Sequence, residues 1–150
     1  GIKIAVENLF TRDAETKRIN GGFLQNPKEH AEFVRSLGSP MFIACLDIGH
    51  SALTGVAPEY ALSNHDPKIC RAVHIHDNDL VDDRHWYPMS GLFDWDAICE
   101  AFAKMGYEGD MSLELINPLA KIDLGVMPDA LRYAAAMARE LVRKIEGYKA

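Results

Sequence analysis

Apolar and polar positions along the chain follow two periods. Four short, nearly continuous apolar runs have the length of buried strands: Ile2 to Val6, Met41 to Leu46, Ile69 to Ile75 and Met111 to Leu115. Helical spacing fills the segments between and after them. Ala31, Phe33, Val34 and Leu37 form a stripe that opens at Asn26-Pro27-Lys28-Glu29 and closes at Gly38, the pattern of a capped helix. A short helix is predicted over Pro58 to Asn64. Asp94 is placed to cap another, running to about Met105 with Ile98, Phe102 and Met105 inward. The last helix starts near Pro128 and reaches about Ile145, with Leu131, Ala134, Ala135, Met137, Ala138, Leu141, Val142 and Ile145 on its apolar face and Gly147 ending it. Loops are expected over Glu7 to Gln25, Ser51 to Val56 (with a helical turn), Asp77 to Gly91, and around Pro118 and Gly125.

The order is therefore β-α four times over. Such alternation predicts an α/β fold, with parallel strands joined by helical crossovers. Each strand-like run delivers a metal-ligand type at or just past its C-terminal end: Glu7, Asp47, His74 and Glu114. The intervals between them each amount to about one unit of a (β/α)8 barrel, roughly 30 residues, and active sites of such barrels lie at the strands' C-terminal ends. Three carboxylates converging alone would repel one another, and a dication removes that cost. A mostly oxygen set with one imidazole suits Mn2+ or Mg2+, with Zn2+ or Co2+ also compatible. Any one of these residues could instead be a solvated strand-end polar group. Four in succession favour a shared site.

Other polar residues divide between chemistry and packing. His50, three residues after Asp47, suits a substrate donor, a second metal ligand or a plain loop histidine. His76, two residues beyond His74, is read as packing or support of a ligand rather than as a ligand itself. Asp82-Asp83-Arg84-His85 is either solvated loop or a segment placing Arg84 and His85 over the site, with Arg84 suited to oxyanions. Trp86, Tyr87 and Phe93 could cover a pocket or pack a core. Trp95 reads as structural, and His30 and His65 have no neighbours that assign them a role.

Composition narrows the class. The 150 residues suit one domain, 48% hydrophobic and 25% charged. A formal net charge of −6 disfavours a broad nucleic-acid surface. No apolar run approaches the ~20 residues that span a bilayer, and the N-terminus lacks a signal-peptide pattern. Cys45, Cys70 and Cys99, without a CxxC, read as reduced, buried thiols of a cytoplasmic protein.

Val6-Glu7-Asn8-Leu9, Leu46-Asp47-Ile48-Gly49-His50, Val73-His74-Ile75-His76-Asp77-Asn78, Asp94-Trp95 and Leu113-Glu114-Leu115 together resemble the sugar phosphate isomerase/epimerase superfamily. These are the xylose isomerase-like TIM barrels, which include ketose 3-epimerases and endonuclease IV. The resemblance covers essentially all 150 residues and implies a partial barrel domain equivalent to strands 5–8, its C-terminal half. It makes Glu7, Asp47, His74 and Glu114 the metal ligands, Glu7 and Glu114 also the acid/base pair, and His50 and Arg84 substrate contacts, with His85 beside them. Where the family has Pro-Gly-x-Gly, this chain has Pro88-Met89-Ser90-Gly91.

Three functions are compatible with this reading. The first is a metal-dependent sugar or sugar phosphate isomerase/epimerase, in which one glutamate takes the proton beside a carbonyl and the other returns it, through an enediolate. The second is an endonuclease IV-like phosphodiesterase, since Asp47, His50, Asp83 and His85 match its Asp-x-x-His and Asp-x-His spacings. The third is an inactive piece that needs the missing half. Two unpaired sheet edges would favour self-association, or completion by the missing half.

Overall fold

The computed structural model describes residues 1–149. In chain order the elements are β1 (Ile4–Glu7), β2 (Leu9–Arg12), β3 (Ile19–Phe23), α1 (Pro27–Ser36), β4 (Phe42–Asp47), α2 (Ile48–Leu53), α3 (Pro58–Asn64), β5 (Cys70–Ile75), α4 (Trp95–Met105), β6 (Asp110–Leu113), α5 (Ile116–Ala120) and α6 (Met127–Lys149). The four apolar runs become one parallel sheet in the order β1-β4-β5-β6, as the β-α alternation predicts. Leu46, Val73 and Ile75 face the helices and pack against Ala61, Leu62, Ile98, Phe102, Leu141 and Ile145. The alternate positions, Asp47 and His74 among them, take the other face.

The register of β4 on β5 is irregular. Ala44 pairs with Cys70, but Cys45 pairs with Ala72, so Arg71 is an extra residue in the ladder. Beyond that bulge Leu46 meets Val73 and Asp47 meets His74. Two residues that must share a face therefore sit side by side.

Several expectations need correction. Glu7 to Gln25 is not a plain loop, because β2 and β3 pair as an antiparallel hairpin. Gly22, which reads as a breaker, lies opposite Phe10 in that ladder, and a Cβ there would be 2.2 Å from the Leu9 carbonyl oxygen. The segment after Asp47 is helical from Ile48 onward. Asp47 ends β4 and caps α2 at once, accepting from the His50 N–H at 2.7 Å. Pro118 lies within α5, at its third residue, where a backbone N–H has no helical partner to lose. Helix α6 continues through Gly147 to Lys149, since Gly147 keeps a negative φ and no left-handed turn stops it. Ala134, Leu141 and Ile145 are buried on α6, whereas Leu131, Ala135 and Val142 are exposed.

The other helices start as their sequences dictate. Asn26 accepts from the backbone of Lys28 and Glu29, with Pro27 as the first residue of α1. Asp94 caps α4, and Gly106 ends it at φ 62°. All three cysteines are free and buried. No helix among the described residues is long and apolar enough to cross a membrane. Among those residues, the outer edges of β1 and β6 pair with no further strand.

Candidate metal centre

Glu7, Asp47, His74 and Glu114 converge at the C-terminal end of the sheet, with one ligand atom of each lying within 4.8 Å of all the others. Each comes from a different strand. Glu7 ends β1, Asp47 ends β4, His74 lies in β5, and Glu114 follows β6, its N–H still donating to the Ile75 carbonyl at 3.1 Å. The His74 Nδ1 is 3.3 Å from Glu7, 3.6 Å from Glu114 and 3.8 Å from Asp47 Oδ2. The two glutamates thus approach from opposite edges of the sheet and remain partly exposed. Asp47 is fully buried.

This donor set fits a divalent cation on two observations. Asp47 Oδ2 is buried and accepts no hydrogen bond, although Oδ1 accepts two. A buried carboxylate oxygen without a donor is costly unless a cation faces it. Charge gives the second: Cys45 and then Glu7 raise His74 to about 11. The surroundings of His74 therefore favour positive charge at this point. Binding an ion there would displace that proton, because an imidazole ligates only when neutral.

Around these four residues lie further histidines. His50 Nδ1 donates to the Asn8 carbonyl at 2.9 Å, and its Nε2 lies 3.5 Å from Asp83. Burial opposes charge on His50, but the hydrogen bond to Asp83 and the Asp47 carboxylate prevail and lift it to about 9. His85 lies 2.8 Å from Asp83 through Nε2 and donates to the Glu114 carbonyl from Nδ1 at 3.0 Å. Its φ of 49° is a strained conformation for a non-glycine residue. Burial would raise Asp83, yet His50, His85 and His76 together hold it below the usual carboxylate range.

The residues expected to act on substrate are only partly brought together. His50 and His85 border the cluster. Arg84 does not reach it: Nε donates to Asp79 at 2.7 Å, and a second nitrogen pairs with Asp82 at 2.9 Å. Asp82 also binds Arg12 of the hairpin, and Phe10 of that hairpin meets the His50 ring edge-on. Met89 takes φ 67°, a backbone conformation that favours glycine, where the family pattern has one. Trp95 is structural, its Nε1 donating to buried Asp77 at 2.7 Å. Trp86 lies under the Arg84 guanidinium, and Tyr87 packs on Tyr133.

Two supporting residues were missed in the sequence. Asn8, fully buried, clamps the Asp47 backbone with Oδ1 to N–H at 2.7 Å and Nδ2 to carbonyl at 3.0 Å. Its adjacency to Glu7 was the available signal. Asp77 anchors the loop after β5 by accepting from Asn78, Phe93 and Trp95. His76, His85 and Glu114 form a second cluster of ligand-type groups. The two imidazoles in it are stacked at 4.3 Å and 15°, so their in-plane lone pairs run side by side rather than toward one point.

The sequence profile described as "Xylose isomerase-like TIM barrel" matches residues 1–143. This chain belongs to that family. An uncharacterised protein of Sinorhizobium fredii, y4fM, is 33% identical over 113 residues, which cover 75% of this xylose isomerase-like chain and 33% of that protein. A D-tagatose 3-epimerase-like protein of known structure superposes with a TM-score of 0.67 at 24% identity, covering 100% of this chain and 50% of that one. The structure described as IOLI protein with a binding zinc atom gives 0.57 at 22% identity, over 81% of this chain and 44% of that one. The present xylose isomerase-like chain thus spans about a third of its curated relative and about half of the structural ones.

Proposed function

We propose that this chain forms one half of the site of a metal-dependent isomerase or epimerase acting on a sugar or sugar phosphate. On this reading the four β-α units are the C-terminal half of a barrel, and the missing half supplies the opposite wall of the pocket. One observation carries the proposal. Two partly exposed glutamates face each other across His74, while the remaining carboxylate, Asp47, is fully buried and aims an oxygen without a hydrogen-bond donor at the same point. Asp47 is thereby confined to holding an ion, whereas Glu7 and Glu114 are also placed to exchange protons with a bound substrate.

A divalent ion held by Glu7, Asp47, His74 and Glu114 would polarise a substrate carbonyl and its neighbouring hydroxyl. The oxygen-rich set suits Mn2+ or Mg2+, and the zinc in the IOLI structure keeps Zn2+ and Co2+ in the comparison. One glutamate takes the proton beside the carbonyl, and the other, on the opposite edge, returns one from the other side. His50 and His85 border the substrate, and His50 Nδ1 lies 3.5 Å from Glu7. Arg84 reaches an oxyanion only by releasing Asp79 and Asp82.

A second reading rests on a separate observation: Asp83 lies between His50 and His85, at 3.5 and 2.8 Å. That triad could hold a further ion, as an endonuclease IV-like phosphodiesterase requires. Net charge −6 disfavours DNA as the partner. Solvent-deuterium exchange into ketoses and metal counting separate the two. We expect about one ion per chain and loss of exchange in Glu114→Gln. Unchanged exchange in that variant removes Glu114 as a base, and about three ions with cleavage at abasic sites favours the phosphodiesterase.

A further inference from the structure

We propose that His76 is a positioning residue that sets the rotation of the Asp47 carboxylate and so aims Oδ2 at the metal. This rests on the metal reading above but not on the isomerase reading. His76 is fully buried one residue beyond β5, and its Nε2 lies 3.1 Å from Asp47 Oδ1. A carboxylate only accepts, so Nε2 carries the hydrogen and donates. Oδ1 also accepts from the His50 N–H at 2.7 Å. Both donors lie on Oδ1, and neither serves Oδ2. Asn8 fixes the Asp47 backbone through two hydrogen bonds, but these leave the carboxylate free to turn about its last bond. His76 removes that freedom.

The surroundings are built to hold the ring rather than merely to admit it. One face stacks on His85 with ring centroids 4.3 Å apart, and the His50 ring stands edge-on with its centroid 6.3 Å away. Beneath it is Gly49, where a Cβ would stand 2.0 Å from His76 Cε1, so no other residue fits without displacing the ring. Position 49 is glycine because of this approach, since its φ is not in the left-handed region. His76 Nδ1 is buried without a partner, a sacrifice consistent with a ring placed for what Nε2 does. A hydrogen bond to the non-ligating atom of a ligand group orients that group and tunes its basicity. Losing such a partner typically costs about 10- to 100-fold in metal affinity.

The test measures Mn2+ and Zn2+ affinity of the intact protein by competition with a chromogenic chelator, without substrate. His76→Leu keeps the volume but removes the donor. His76→Gln restores an N–H near the Nε2 position. We expect about 10- to 100-fold weaker binding in His76→Leu and recovery of most of it in His76→Gln. Equal affinity in wild type and His76→Leu overturns the positioning role, as does a loss that His76→Gln does not recover. Should His76→Leu fail to fold, 15N spectra of the wild-type histidines with Zn2+ decide the matter. The His76 Nε2 must stay protonated and shift on binding, and direct ligation or an unchanged signal overturns the proposal. Absence of any metal binding by the wild type overturns the metal reading itself, a distinct result.

Discussion

His30 and His65 meet where α1 passes the end of α3. The His30 Nε2 donates to the Val6 carbonyl at 2.9 Å, which leaves Nδ1 to accept from His65 Nε2 at 3.3 Å. His65 Nδ1 also faces the Asp66 carbonyl at 3.4 Å, so the two rings compete for their hydrogens. Burial, and for His65 the neighbouring His30, lowers both, His65 to about 4, against the opposing pull of Glu7 and Asp66. A folded-state value below the unfolded 6.5 means that the unfolded chain binds the extra protons. The contribution of His65 to stability is full above about 6.5 and is lost as pH falls toward about 4, and His30 acts in the same direction. For His65 alone the loss amounts to about 3 kcal/mol. Urea midpoints followed over this pH window should fall for the wild type and fall less for His65→Gln. Neither ring announced this role in sequence, because the pairing is made only when α1 and the end of α3 meet.

Elements decide how much of the site a sequence reveals. Glu7, Asp47, His74 and Glu114 were legible because strand runs of period two end at definite places, and a parallel sheet brings those ends together. Asn8 and Asp77 were not, because they lie where one element passes into another: Asn8 stands between β1 and the hairpin, and Asp77 follows β5. The strained φ of His85 likewise has no sequence signature. The helix α2 makes the dependence testable through Gly49, whose replacement by alanine must displace a fully buried ring. Gly49→Ala should lower stability by about 1–3 kcal/mol and weaken metal binding along with it. Denaturant unfolding and chelator competition read the two effects separately.

At the scale of the molecule, the dominant fact is that, among the described residues, β1 and β6 present unpaired outer edges. Apolar side chains accompany them, with Ile2 exposed before β1, Ile4 exposed at its start, and Leu131 and Val142 exposed on α6. Open parallel edges flanked by such surface pair with whatever strand is offered. The chain by itself should therefore sediment above monomer mass at micromolar concentration, and a clean monomer there would count against this. The β-α order was legible throughout, but the fate of the edges was not, because pairing at an edge depends on strands outside the sheet. The bulge at Arg71 has a wider bearing. The match of Asp47 with His74 is set by register: three steps on β4 face four on β5, and the bulge absorbs the difference. Helix-side loops can change length and leave that register intact. Loss of one residue at the bulge would even the count and keep the imidazole beside its carboxylates, whereas any other change between Cys70 and His74 slides it along β4. Tolerance to insertion and deletion is thus unevenly distributed along β5, and its one slack point is Arg71.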